Sequence, residues 1–120
     1  MRLQINARHT QLTGALREHV ERRFLESLPL HYDRDSCDLR VEIDSPVGQS
    51  KRRYEEVRAF LTVPGGMLVA HARGRDAFAA TDGAQKQLLR RIDEWRRRLR
   101  DRARYPKKYY AARLVEEREG

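Results

Sequence analysis

Between Lys86 and Lys108 the chain carries eight arginines and three lysines against three acids, Asp93, Glu94 and Asp101. That surplus equals the formal net charge of the whole 120-residue chain, +8, so the remainder is neutral in sum and the excess is one local patch. Cations at this density repel one another and cost stability unless a polyanion neutralises them. The chemistry they offer is phosphate binding. An arginine fork matches two phosphate oxygens, and each neutralised phosphate releases condensed counterions.

A helix must carry the patch. Phe78, Leu88, Ile92, Trp95 and Leu99 recur at helical spacing as a core stripe, and Ala80 and Ala84 allow close approach to a sheet. Asp76 reads as the N-cap and Pro106 as the stop, which predicts a helix over residues 77 to 104. At about 3.6 residues per turn, Lys86, Arg90, Arg97 and Arg104 fall nearly opposite that stripe, with Arg91, Arg96, Arg98, Arg100 and Arg102 on the flanks. Part of this charge is ordinary helix chemistry. Basic residues near a C-terminus complement the macrodipole, and Glu94 with Arg98 is a favourable i,i+4 pair.

The other elements follow from changes of period. "RLQINAR" alternates Leu3, Ile5 and Ala7 with polar residues, a strand over residues 2 to 8. From Thr13, an N-cap, Leu16, Val20, Phe24 and Leu28 recur at four-residue steps, a helix over 14 to 28 ended by Pro29. "CDLRVEID" and "YEEVRAFLTV" alternate again. "PGG" then supplies a turn, with Pro64 fixing φ and a glycine accepting positive φ, before the chain returns as "MLVAHAR". The order is β-α-β-β-β-α. Clean alternation means a sheet covered on one face only, so the expected fold is α+β, a four-stranded sheet with both helices on one face. Residues 1 to 104 form one domain, and residues 105 to 120, basic turning acidic, read as a flexible tail.

Beyond the long helix, Arg23 is the strongest candidate for the same surface, since Glu18, Glu21 and Glu26 offset most of the first helix's charge. Arg8 and His9, at the end of the first strand, extend the patch or serve as plain loop. Only Phe60 and Tyr54 offer rings on the bare sheet face, too few for a single-strand stacking platform, so backbone recognition of structured RNA fits better. Cys37 reads as a small buried thiol, and the four histidines show no metal-ligand spacing. No apolar run approaches a membrane span or a signal peptide's hydrophobic region, which predicts a cytoplasmic protein without membrane partners. Asp44, His71 and Asp82 are the conceivable acid and base residues. Nothing in their spacing brings them together, so no enzyme, small-molecule substrate, metal or cofactor is expected.

"RHTQLTGALREHVERRF", followed by "VPGGMLVAHARGRDAFAATDGAQKQLLRRIDEWRRRLRDRAR", resembles the family of ribosome hibernation promoting factors and ribosome-associated inhibitors, also called sigma-54 modulation proteins. The likeness spans about residues 1 to 104, and Asp76, Ala79, Ala80 and Asp82 after a Gly-Gly hairpin are its most specific piece. It implies a fold similar to double-stranded RNA-binding domains. It also implies binding of 16S rRNA on the small ribosomal subunit, in the channel of mRNA and of A- and P-site tRNA, and inactivation of idle 70S ribosomes. Arg23, Arg90, Arg96, Arg98 and Arg100 stand where the family carries Lys or Arg. Three positions depart from it. Gln87 replaces a frequent lysine, with Lys86 one step earlier and Arg91 added nearby; Phe78 replaces a tyrosine; Thr81 replaces an apolar residue. The acidic ending "LVEEREG" is similar to the inhibitor branch. The dimerisation domain of long members is not matched, so the free protein is expected to be a monomer. The competing expectation is a double-stranded RNA-binding protein that acts off the ribosome.

Overall fold

In the computed structural model, residues 1–26, 28, 37–45 and 54–104 are described. The elements are β1 (Arg2–Arg8), α1 (Gly14–Leu25), β2 (Asp38–Asp44), β3 (Glu55–Val63), β4 (Gly66–Gly74) and α2 (Ala77–Arg104). The expected order therefore holds, and α2 has the expected bounds. The expected tail, residues 105–120, lies outside the described residues, as do Pro29 and Pro106.

The four strands form one sheet in the order β1-β2-β3-β4. β1 runs parallel to β2, with Leu3 opposite Leu39 and Ile5 opposite Val41. Parallel neighbours need a crossover, and α1 lies within it. β2, β3 and β4 are antiparallel, and Val41, Ala59 and Ala70 lie side by side across them. Gly65 has φ +85, which a Pro-Gly turn demands at its second central residue.

Alternation puts Leu39, Val41, Ile43, Val57, Ala59, Leu61, Leu68 and Ala70 on the covered face, all buried. Leu16, Val20 and Phe24 of α1 and Ala80, Ala84, Leu88 and Ile92 of α2 close over them. Cys37 is buried beside them, as a small apolar thiol should be. At Gly83 the helix runs so close to β4 that a Cβ would stand 2.8 Å from the Ala72 Cβ. Small residues on α2 set this approach.

The caps are those expected. Thr13 Oγ1 accepts the Leu16 N–H at 3.2 Å, and Asp76 Oδ1 accepts the Ala79 N–H at 2.7 Å. α1 ends at Leu25 with Glu26 as its C-cap, three residues before the end its apolar spacing suggests, yet Leu28 still reaches the core. Ala7 is exposed at the end of the edge strand β1.

Two members of the expected α2 stripe lie outside the core. Phe78 is 40% exposed and Leu99 39% exposed. Ten residues before Leu88, Phe78 lies about 80° round the helix from it, on the side that meets His19 of α1. Among the described residues Ile92 is the last buried side chain of α2, and Trp95 is half-buried. Beyond them α2 overruns the sheet: its 28 residues reach about 42 Å, whereas a strand of 9 residues reaches about 30 Å.

Candidate nucleic-acid interface

The two faces of the molecule differ in electrostatic character. On the bare sheet face three cations are matched, whereas Arg2 and Arg8 have no acidic partner among the described residues. Arg58 Nε donates to Glu56 Oε1 at 2.9 Å, Arg73 lies 3.8 Å from the other oxygen of the same carboxylate, and Arg40 is 3.5 Å from Glu42. The two rings of this face are covered as well. The Arg40 guanidinium sits 4.6 Å over Phe60, and that of Arg73 sits 4.7 Å over Tyr54. Rings already stacked by arginine offer no open platform to bases.

On the helix layer the cations are largely unmatched. Steps of four and three residues put Asp82, Lys86, Arg90, Asp93, Arg97 and Arg100 on one line along the outer side of α2. Arg97 Nη2 lies 2.9 Å from Asp93, and Arg91 pairs with Glu94 at 3.6 Å, in place of the expected Glu94–Arg98 pair. Such exposed pairs contribute only about 0.3–0.5 kcal/mol each and break readily for a better anion. Among the described residues Lys86, Arg90, Arg96, Arg98 and Arg100 have no acidic partner. Arg98 and Arg100 lie beyond Ile92, the last buried side chain among the described residues. The overrunning end of α2 is therefore basic on several sides at once.

α1 joins this surface through contacts that local sequence does not reveal. His19 Nε2 is 2.9 Å from Asp82 Oδ1, and Arg23 Nε is 3.0 Å from the same oxygen. The Phe78 ring stands edge-on to His19, with centroids 5.0 Å apart at 64°. One carboxylate of α2 thus holds two basic groups of α1, and the ring exposed at position 78 braces one of them. The available signal is the i,i+4 spacing of His19 and Arg23, which gives them a common face.

Arg8 and His9 are not brought to this layer. Strand parity sends the Arg8 side chain to the bare face, where it borders an open hollow of about 300 Å³ with Glu42, Asp44 and Arg58. His9, at φ 58, bonds Asp44 at 3.1 Å and ties the ends of β1 and β2 together. Asp82 is on the helix layer, whereas Asp44 and His71 are on the sheet's other side. The conceivable acid and base residues are therefore split between layers. No group of three or more potential metal ligands occurs among the described residues, and no described helix is long and apolar enough to cross a membrane.

The family described as Sigma 54 modulation protein / S30EA ribosomal protein matches residues 3–100. The chain belongs to this family. The ribosome hibernation promoting factor of Escherichia coli K12 is 30% identical over 101 residues, covering 83% of this chain and 98% of the relative. That of Pseudomonas putida is 29% identical over 92 residues, covering 77% and 83%. The ribosome hibernation promotion factor of Deinococcus radiodurans is 30% identical over 95 residues, 79% of this chain but 49% of the relative, so the chain spans about half of that longer protein. Two solved structures share the fold. They are a ribosomal subunit interface protein from Coxiella burnetii (TM-score 0.67, 20% identity, 80% of this chain and 98% of that one) and the N-terminal domain of Thermus thermophilus Protein Y (TM-score 0.60, 19% identity, 75% and 98%).

Proposed function

We propose that this chain is a cytoplasmic, ribosome-associated hibernation factor that lays its helix layer on 16S rRNA in the small-subunit channel of mRNA and tRNA. It holds idle ribosomes inactive by occupancy, without chemistry. One observation carries the reading: five cations of α2, Lys86, Arg90, Arg96, Arg98 and Arg100, lack acidic partners among the described residues, whereas on the sheet face Arg40, Arg58 and Arg73 are paired and only Arg2 and Arg8 are not. A surface of this kind grips phosphates through their charge and spacing, not through base identity. The relatives' names supply the partner, since a family of ribosome hibernation promoting factors carries the same α+β domain.

The contacts we assign are Arg23, Lys86, Arg90, Arg91, Arg96, Arg97, Arg98 and Arg100. Arg8 and His9 sit apart from them and are left out. Residues 1–104 are the ribosome-binding domain and 105–120 a separate tail. Sedimentation with purified 30S and 70S particles at low and moderate salt tests the reading. Co-migration near one copy per particle supports it. Protein that stays at the top of the gradient at low salt, yet binds generic duplex RNA, overturns it in favour of a double-stranded RNA-binding role off the ribosome.

A further inference from the structure

Asp82 is an acid in the middle of the surface assigned to phosphate binding, where simple electrostatics would have none. It lies on the same helical line as Lys86 and Arg90, 37% exposed, and its Oδ1 meets both His19 Nε2 and Arg23 Nε of α1. His19 is only 18% exposed and is braced by the Phe78 ring, so one side of the arrangement is firm. Arg23 is 47% exposed, and its contact with Asp82 is made at Nε. The guanidinium's terminal edge, Nη1 and Nη2, is the part left for a second anion, and it has the spacing that matches two phosphate oxygens. An arginine side chain held at one end also loses less freedom on binding than a free one.

We infer that Asp82 is a positioning residue: it holds Arg23 across the gap between the helices so that the terminal edge of the guanidinium meets an RNA phosphate. The inference rests on the ribosome-binding reading above and adds a residue that would otherwise count against it. It has a counterintuitive consequence. Removing this acid makes a phosphate-binding surface more positive and yet weakens it.

The test is a double-mutant cycle on 30S affinity with wild type, Asp82→Ala, Arg23→Ala and the double variant, each at several salt concentrations. Arg23→Ala weakens binding about tenfold, the size of one lost charge-assisted contact, and lowers the log–log salt slope by roughly one. Asp82→Ala weakens binding about threefold to tenfold in the wild-type background. In the Arg23→Ala background it leaves affinity unchanged or raises it, because only the added positive charge remains. Tighter binding on removing Asp82 in both backgrounds makes the residue a plain electrostatic penalty and overturns the inference. Weaker binding in both makes it a clamp between helices, acting on structure alone, and overturns it too. Unchanged affinity in Arg23→Ala removes Arg23 from the contact set while the wild-type isotherm still upholds ribosome binding. A wild-type protein that fails to bind 30S takes down the functional reading and this inference with it.

Discussion

Gln87 of α2 reaches the free edge of β4 and accepts the His71 backbone N–H at 2.6 Å. Where the resemblance led us to expect a lysine, the structure gives this chain's glutamine a task of its own. β4 has a hydrogen-bonded neighbour on one side only, and an open edge is a template for pairing with another strand. A side-chain carbonyl from the helix above closes one of its donors. Lys86 and Arg91, on either side of it in sequence, carry the positive charge instead.

Gln87→Ala should therefore act on the edge and not on the RNA surface. The lost bond is exposed, so the expected cost is at most about 1 kcal/mol. Self-association should rise with concentration, since the His71 N–H is then free for another chain. Thermal unfolding and sedimentation velocity at two concentrations check both. A variant with unchanged 30S affinity and raised self-association is the expected outcome.

Thr81 is a polar residue in the core, and its replacement by an apolar one should be nearly silent. The residue is fully buried, and its Oγ1 donates to the Ala77 carbonyl one turn back at 2.7 Å. That carbonyl also accepts the helix's own i→i−4 bond, so removing the hydroxyl orphans nothing. Thr81→Val keeps the shape and should change stability by less than about 1 kcal/mol. Leu88→Ala, which empties a site between helix and sheet, should cost about 2–5 kcal/mol and lower Tm by roughly 10–25 °C. Calorimetry of the two variants separates these expectations.

Binding through phosphates should be steeply salt-dependent. With roughly six phosphates engaged, raising salt from about 50 to about 200 mM should weaken 30S binding on the order of a thousandfold. Affinity titrations across that range give the slope. A flat response would mean that the helix layer does not recognise the RNA backbone.

Much of this architecture is legible in the residues. Alternation in "DLRVEID" and "EEVRAFLTV" gives two strands and the buried side of each, and Thr13, Asp76 and Gly65 mark two helix starts and a turn by local chemistry alone. What escapes is set by distance. Leu99 has core spacing but no core beneath it, because how far α2 outruns the sheet depends on how the two are placed, not on any local pattern. Phe78 looks like core by its chemistry, but its place round the helix turns it toward His19 of α1. The pairing of His19 with Asp82 joins residues 63 positions apart. Arg8 shows the reverse case: parity alone assigns it to the bare face, and nearness to α1 in sequence is a poor guide beside that.

We propose that the helix layer, not the sheet face, binds the ribosome. Two variants of equal change in net charge test it on 30S subunits: Lys86→Glu with Arg90→Glu on α2, and Arg2→Glu, Gln4→Glu and Thr62→Glu together on the sheet. All five positions are exposed, and each variant's Tm is measured alongside to verify folding. A loss on the order of a hundredfold is expected for the helix variant, two charge-assisted contacts at about tenfold each, and less than about fivefold for the sheet variant. Equal losses, or the larger loss from the sheet variant, would contradict it.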